Sequence, residues 1–169
     1  SVEPAAFGQR MEGIWEKRSF ILLRDAQGES LERWVRPNLV PAAKETNLSQ
    51  RRRRFDSLAD FVADFHRRGF VHCDLYLSHI FICDYGTLAE EGFKLIDLQR
   101  VFQPRCRKRR WVVKDLAALN YSVPAELVGT WERMRFLCRY VRRCEDFGTA
   151  RKLAKLVAAK TKRIARHNR

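Results

Sequence analysis

The chain has 169 residues, of which 46% are hydrophobic and 32% charged, and it carries a formal net charge of +14. That length and apolar content suffice for one domain with a substantial core. No run of about 18 apolar residues occurs, which argues against a membrane-spanning helix. The five cysteines lack paired Cys-x-x-Cys spacing, which argues against a disulfide framework and indicates reduced thiols in the cytoplasm.

The first helix is predicted for residues 31–35 and is expected to end near Pro37, because proline interrupts the helical hydrogen bonds. Residues 38–50 are polar, contain Pro41 and predict an irregular connection. One short helix therefore precedes the main apolar pattern.

The strongest helical pattern consists of apolar side chains that recur every three or four residues. These are Phe55, Leu58, Phe61, Val62 and Phe65. The spacing places them on one face of a helix, with Asp56 or Ser57 as its cap and Gly69 at its end. We interpret this stripe as core rather than as a ligand site.

Two short segments follow, and each contains one aspartate. Residues 72–82 read His-Cys-Asp-Leu-Tyr-Leu-Ser-His-Ile-Phe-Ile, and residues 95–99 read Leu-Ile-Asp-Leu-Gln. Phosphoryl transfer requires one carboxylate near the attacking hydroxyl and other ligands on Mg²⁺, and Asp74 and Asp97 can divide these roles. Either aspartate alone would be better explained as an ordinary loop residue, but their joint spacing favours a site.

The apolar runs at residues 80–82 and 93–96 predict two strands. Asp84, Tyr85 and Gly86 supply turn residues between them. We therefore expect a β-hairpin that presents both acidic segments together.

The remainder of the chain is basic and helical. A basic segment at residues 100–110 precedes a helix predicted for 114–121. Two further helices are predicted for residues 126–147 and 149–166, separated by Gly148. The last helix is amphipathic, and it either docks on an anionic membrane or packs on the domain, the second being favoured.

The pattern His-x-Asp-x-Tyr-Leu-x-His, followed by Ile-Asp-Leu, resembles the bacterial lipopolysaccharide kinase family, which phosphorylates heptose or Kdo of the inner core. Residues 19–23 resemble the strand leading into the hinge, 30–31 the start of the next helix, and 114–119 a later signature helix. The resemblance covers roughly residues 5–122. It implies an α+β, protein-kinase-like fold, ATP as donor and Mg²⁺ as metal.

The resemblance also implies roles for single residues. Asp74 would orient the acceptor hydroxyl and accept its proton, and Asp97 would hold Mg²⁺. His79, itself a mark of the family, would be the second metal ligand, or would instead touch a phosphate or position Asp74. His72 would support the site. Asp115 would accept hydrogen bonds from the loop backbone, or would simply be a charge near a helix N-terminus.

By the same resemblance, residues 2–12 and 18–23 form the last two strands of an N-terminal lobe. The backbone of Leu22, Leu23 and Arg24 would be the hinge that contacts the nucleotide. We therefore expect a small strand unit before the main lobe.

The domain prediction assigns residues 1–24 to a remnant of the N-terminal lobe and 25–169 to the C-terminal lobe. No Gly-x-Gly-x-x-Gly or Val-Ala-Ile-Lys motif occurs, and Lys17 is placed in the turn before the hinge strand. We expect a truncated kinase that lacks most of the N-terminal lobe. Its own turnover would be low, because phosphoryl transfer depends on positioning and charge stabilisation.

Two departures from protein kinases bear on the substrate. Cys73 replaces the arginine that holds an activation-loop phosphate, so regulation of that kind is not expected. Tyr76 stands where many Ser/Thr protein kinases carry a phosphate-contacting lysine, which favours a small or glycan acceptor over a protein.

The positive charge is clustered at residues 51–54, 105–110, 139–143 and 151–169. Such clusters attract polyanions, although many of these side chains will simply be solvated. The resemblance favours the lipopolysaccharide core, the lipid A precursor and the anionic inner leaflet over nucleic acid. We expect a cytoplasmic protein, peripheral on the inner membrane.

Three alternatives remain open. A non-catalytic basic module of the same fold would bind anionic lipid or RNA. Another small-molecule kinase, such as an aminoglycoside or choline phosphotransferase, would usually carry Asn in place of His79. A zinc site from Cys73, His79 and Cys83 fits no common ligand spacing.

Overall fold

The computed structural model describes residues 3–13, 15–39, 48–84 and 91–167. Strands β1 (Pro4–Glu12) and β2 (Trp15–Leu23) form an antiparallel hairpin, and β3 (Glu29–Ser30), β4 (Ile80–Asp84) and β5 (Glu91–Leu95) form a second antiparallel sheet in that order. The described ranges also contain α1 (Leu31–Leu39), α2 (Leu48–Arg67), α3 (Lys108–Ser122), α4 (Thr130–Arg143) and α5 (Ala150–His167). This arrangement confirms the predicted α+β class.

The helices form the core by packing in pairs, α2 against α4 and α3 against α5. Val62, Leu116, Tyr140 and Leu153 are each at most 2% exposed, and every fully buried member of the core cluster lies between Leu31 and Val157. Leu153 and Val157 bury one face of α5, so the predicted packing of that helix is confirmed.

Two predicted helix starts are wrong because basic residues extend the helices. The helix predicted from Phe55 begins at Leu48, so neither Asp56 nor Ser57 is its cap. The helix predicted from residue 114 begins at Lys108. Arginine and lysine are good helix formers, and the apolar periodicity marks only the part of a helix that faces the core.

Three other boundaries also differ from prediction. The first helix continues through Pro37 to Leu39, since the φ that the proline ring fixes is compatible with a helix even though its missing N–H removes one helical hydrogen bond. Lys17 lies inside β2 rather than in a turn. The helix predicted for residues 126–147 is confined to α4, followed by a 3₁₀ turn at Glu145–Phe147.

The predicted hairpin is present, and it connects the segment that contains Asp74 to the segment that contains Asp97. β4 pairs with β5 from Ile80↔Leu95 to Asp84↔Glu91. The turn residues Tyr85 and Gly86, like Pro41 of the earlier connection, lie outside the described residues. β3 joins this sheet through Gly28, whose φ is +115° and where a Cβ would lie 2.2 Å from the Ile82 carbonyl oxygen. Only glycine fits this approach.

The β1–β2 hairpin is largely exposed. Phe7 is 80% exposed, Phe20 60% and Ile21 59%. Within the described residues of β1, only Gly8 is half-buried, because the Phe20 ring lies over it. Among the hairpin residues whose side chains the structure describes, none belongs to the core cluster.

One basic cluster is less available to bind anionic partners than its charge alone indicates. Arg139 and Arg143, from the cluster at residues 139–143, form ion pairs with Asp60 and Asp64 on α2. This cluster is therefore partly neutralised within the protein. Among the helices in the described ranges, none combines the length and the apolar character needed to cross a membrane.

Candidate active site

Loop A (residues 70–76) follows α2 and is held by a buried carboxylate on α3. Asp115 is 0% exposed, and its two carboxylate oxygens accept hydrogen bonds from the backbone N–H groups of His72 at 2.7 Å and Cys73 at 2.8 Å. His66 Nε2 lies 3.2 Å from the same carboxylate. Cys73 has a left-handed φ of 71°, a conformation that non-glycine residues adopt only when neighbouring contacts hold it.

Loop B (residues 96–102) follows β5 and is tied to loop A at two places. His72 Nε2 donates a hydrogen bond to the Ile96 carbonyl oxygen at 3.0 Å. Val71 and Phe102 exchange two backbone hydrogen bonds, of 3.0 and 3.2 Å. Asp97, in loop B, is thereby held next to loop A, in a left-handed conformation with φ of 54°.

His79 connects the two aspartates. Its Nδ1 lies 2.8 Å from the Asp74 carbonyl oxygen, and because a carbonyl can only accept, Nδ1 carries the proton. Its Nε2 faces Asp97 Oδ2 at 3.8 Å. A neutral ring would direct a lone pair toward that carboxylate, so the two groups could together hold a cation between them.

The Asp74 carboxylate faces two cations. Arg100, in loop B, lies 2.7 Å from Asp74 Oδ2, and Lys114 Nζ, on α3, lies 3.9 Å from Oδ1. The Asp74 side chain is 22% exposed and that of Asp97 is 45% exposed. Both acidic groups are therefore accessible from solvent, and a cationic side chain lies beside each oxygen of the Asp74 carboxylate.

Arg100 and Lys114 are not among the site residues predicted from the sequence. Lys114 precedes Asp115, and neighbouring residues of a helix point in directions about 100° apart, so one reaches the loop backbone and the other the Asp74 carboxylate. The sequence does point to Lys114 indirectly, because this residue begins the segment, residues 114–119, that resembles a signature helix of the kinase family. Arg100 was counted only as part of a basic segment.

Two ionisable groups near Asp74 remain neutral at physiological pH. Burial raises the pKa of the Cys73 thiol, despite the opposing charge of Lys114. Burial also raises the pKa of the Tyr76 hydroxyl, and the negative charge of Asp74 adds to that effect. Neither group is therefore a nucleophile or a counter-ion here.

The three predicted hinge residues lie at the end of β2, in the separate β1–β2 sheet. Leu22 is 57% exposed, and Leu23 pairs with Pro4 across the hairpin. The Arg24 N–H donates to the Glu3 carbonyl oxygen at 2.9 Å, so that donor is used within the hairpin.

The predicted loop residues form one connected set: Asp74, Asp97, His79, His72 and Asp115. In the described ranges, no group of three or more His, Cys, Asp or Glu side chains has the arrangement of a metal site. Cys83 instead donates its S–H to the Gln27 carbonyl oxygen, which leaves the considered zinc set without a shared centre. A metal at this site would rely on Asp97, His79 and ligands from a substrate.

Comparisons with known proteins identify the family and the fold of the chain. A model of the Lipopolysaccharide kinase (Kdo/WaaP) family matches residues 1–140. Lipopolysaccharide core heptose(I) kinase WaaP of Pseudomonas aeruginosa (strain PAO1) is 34% identical over 90 residues, which is 52% of this chain and 34% of that protein. The chain thus spans about a third of the length of this curated relative.

A solved structure described as WaaP in complex with acyl carrier protein superimposes with a TM-score of 0.75. The match covers 96% of this chain and 68% of that chain at 24% sequence identity, and it supports the kinase-like fold. The family match spans well over half of the residues, so the chain belongs to the Lipopolysaccharide kinase (Kdo/WaaP) family.

Proposed function

We propose that this chain provides the catalytic lobe for ATP-dependent phosphorylation of a hydroxyl group on a lipopolysaccharide inner-core sugar, either heptose or Kdo. The observation that carries the proposal is the His79 bridge, which contacts the Asp74 carbonyl and faces the Asp97 carboxylate. The family membership supports a kinase, and the choice of acceptor is part of the proposal.

The donor set around Asp97 fits a divalent cation. The Asp97 carboxylate supplies the hard oxygen ligands that Mg²⁺ prefers, whereas His79 Nε2 is a softer ligand. His79 therefore either completes the ligand set or positions Asp74. When bound, Mg²⁺ and ATP supply charge neutralisation on the phosphates and the transferable phosphoryl group.

In this proposal, the residues of the chain orient and deprotonate the acceptor. Asp74 hydrogen-bonds the sugar hydroxyl and accepts its proton as transfer proceeds. Arg100 hydrogen-bonds Asp74 Oδ2 at 2.7 Å and orients the carboxylate, whose remaining acceptor sites can receive the sugar hydroxyl. Lys114 remains beside Oδ1 and supplies a cation near the acceptor, where Tyr76 replaces the lysine of protein kinases.

Asp115, His72 and the hinge have supporting roles. Asp115 and His72 fix loop A and loop B without touching the reacting atoms. We assign the nucleotide contact to the backbone of Leu22, Leu23 and Arg24, where the Arg24 N–H is already used within the hairpin. Residues 1–24 would then act as strands of an N-terminal lobe and 25–169 as the C-terminal lobe.

The charge of +14 supports a further part of the proposal, that the protein works on the cytoplasmic face of the inner membrane as a peripheral protein. The partners would be the lipopolysaccharide core or lipid A precursor and the anionic lipid surface. A non-catalytic basic module remains the second candidate. It predicts that Asp74→Asn changes nothing measurable.

Transfer of radiolabelled phosphate from ATP to inner-core oligosaccharide, with the protein in molar excess, tests the proposal. Excess protein is needed because the chain contains no glycine-rich or strand-lysine motif and its turnover is expected to be slow. We expect labelled sugar with the unaltered chain and at least about 100-fold slower labelling with Asp74→Asn, since loss of a general base has that order of effect.

The matched control is Asp56→Asn, the same chemical change on α2, where Asp56 pairs with Arg135. This variant should label sugar at the unaltered rate. Equal labelling by Asp74→Asn, or no labelled sugar from the unaltered chain under these conditions, would contradict the proposal.

A further inference from the structure

A polar cavity lies outside the candidate active site, since its lining shares no residue with loop A or loop B. Its volume is about 370 Å³, within the range of small-molecule sites. Its lining combines the ends of α2 and α4, the start of α3 and the turn after α4: His66, Arg67, Lys108, Val112, Tyr140, Arg143, Cys144, Asp146 and Phe147.

The rim of this cavity is positively charged. Arg67, Lys108 and Arg143 line it against a single carboxylate, Asp146. Asp64 lies 3.3 Å from Arg67 and 3.4 Å from Arg143, and Asp60 lies 3.4 Å from Arg143, so these contacts hold both guanidinium groups in place and balance part of their charge. Within the lining itself three cations face one carboxylate, so an anion in the cavity would meet more positive than negative side chains.

The start of α3 adds to this field. Lys108 is the first residue of α3, and that helix has no acidic residue in its first turn and no side-chain cap. Basic residues at a helix N-terminus repel the positive end of the helix dipole. A bound anion beside Lys108 would relieve that repulsion.

The floor of the cavity consists of buried side chains that are hydrogen-bonded within the protein. His66 is 1% exposed, Tyr140 0% and Cys144 6%. His66 contacts Tyr140 and Asp115, and the Cys144 thiol donates to the Ala63 carbonyl oxygen. Burial raises the pKa of the Tyr140 hydroxyl and of the Cys144 thiol, so neither opposes an anion with negative charge. The contacts to a phosphate group would therefore come from the cationic rim, whose charged donors form the stronger hydrogen bonds to phosphate oxygens.

The floor also connects to the catalytic loop. His66 Nδ1 lies 2.9 Å from the Tyr140 hydroxyl, and its Nε2 lies 3.2 Å from the Asp115 carboxylate. Asp115 in turn accepts the N–H groups of His72 and Cys73. A ligand that reorients Tyr140 or His66 would therefore act on the backbone that precedes Asp74.

We propose that this cavity, bounded by Arg67, Lys108 and Arg143, binds a phosphate group of a small molecule and transmits its occupancy to loop A through His66 and Asp115. The site is separate from the proposed catalytic centre. Its test uses no transfer reaction, so it can fail while the kinase proposal stands.

Calorimetric titration with inorganic phosphate, at constant ionic strength and with a chelator present, tests the binding. We expect saturable binding, weakened about tenfold or more by Lys108→Gln and by Arg67→Gln, since a hydrogen bond to a charged group contributes that much. Arg142→Gln removes the same charge from α4 outside the cavity lining and should bind as the unaltered chain does. Circular dichroism confirms that each variant is folded.

A parallel titration with glucose 6-phosphate identifies the source of the phosphate group. Tighter binding than inorganic phosphate indicates a phosphate ester, and equal binding indicates the free ion. Absence of saturation with either probe, or equal weakening by all three substitutions, would overturn the site.

Nuclear magnetic resonance during the same titration tests the link to loop A. The amide signals of His72 and Cys73 should shift with the midpoint of binding, and His66→Gln should reduce these shifts at least several-fold while binding persists. Saturable binding without any shift of the His72 and Cys73 signals would overturn the proposed transmission.

Discussion

Asp115 shows how a single buried carboxylate can fix a loop. Its oxygens accept the N–H groups of His72 and Cys73, and no part of the side chain is exposed. A buried N–H group that loses its acceptor is costly because it has also lost water. The left-handed backbone of Cys73 depends on the same contacts.

We predict that Asp115→Asn lowers the free energy of unfolding by about 1–3 kcal/mol, because the amide nitrogen cannot accept one of these hydrogen bonds. Denaturant unfolding measures this, and amide exchange at His72 and Cys73 should quicken. The control Asp25→Asn, at an exposed position, should change stability by less than about 0.5 kcal/mol. Equal stability of the two variants would show that Asp115 does not support loop A.

His72 and His79 divide the remaining positioning between them. His72 ties loop A to Ile96, the residue before Asp97, while His79 spans from the Asp74 carbonyl to the Asp97 carboxylate. The motif identified both histidines, because their spacing from Asp74 is local. It could not identify Arg100, whose contact with Asp74 depends on how loop B folds back across loop A.

Helices α2 and α4 are joined by a ladder of ion pairs. Asp56, Asp60 and Asp64 recur every four residues on α2, as do Arg135, Arg139 and Arg143 on α4. That spacing places each set on one helix face. The ladder pairs Arg135 with Asp56 at 2.7 Å, Arg139 with Asp60 at 2.7 Å, and Arg143 with both Asp60 and Asp64 at 3.4 Å.

The ladder makes part of the stability dependent on pH. The hydrogen bond from Arg139 lowers the pKa of Asp60, against the opposing effect of burial. Because the folded pKa lies below the unfolded value of about 3.9, the stabilisation is present above pH 4 and is lost as the pH falls through the folded pKa.

We predict that Asp60→Asn is less stable than the unaltered chain at pH 7, by about 0.2–1 kcal/mol for each exposed pair, and that the difference shrinks on acidification below about pH 4. Urea unfolding at pH 7, 4 and 3 measures this. High salt should also reduce the difference. A difference that stays constant from pH 7 to 3 would mean that the Asp60 charge contributes nothing.

Helices and strands were predicted correctly where the local spacing of apolar residues determines them. The apolar stripe on α2 and the β4–β5 hairpin follow directly from residue spacing. The start of α2 did not, because Arg51 reaches Glu132 on α4 and Arg54 lies over Trp34 on α1. Such contacts between distant residues stabilise basic helical turns that carry no apolar periodicity.

Over the whole molecule, the core and the β1–β2 hairpin differ in how they are held. The core joins five helices and the three-stranded sheet, whereas the hairpin is a two-stranded sheet with Phe7, Phe20 and Ile21 exposed. Two-stranded hairpins are marginally stable without further packing. The fold class could be predicted from the motif. The difference in burial could not, because burial depends on contacts between residues that are distant in the chain.

We predict that amides of β1 and β2 exchange with solvent at least about 100-fold faster than those of α2 and α3, because elements with few buried contacts open at low free energy. Hydrogen exchange followed by mass spectrometry measures both regions in one sample. Similar protection of the hairpin and the helices would show that the hairpin shares the cooperative core.

The central claim is that Asp74 and Asp97 serve one metal–nucleotide site. Its most direct test is nuclear magnetic resonance with Mn²⁺ and ATP, because the paramagnetic ion broadens the signals of nearby amides. We predict joint broadening at Asp74, His79 and Asp97, lost in Asp97→Asn and retained in Asp56→Asn. Broadening that spares either Asp74 or Asp97, or that persists unchanged in Asp97→Asn, would contradict the account.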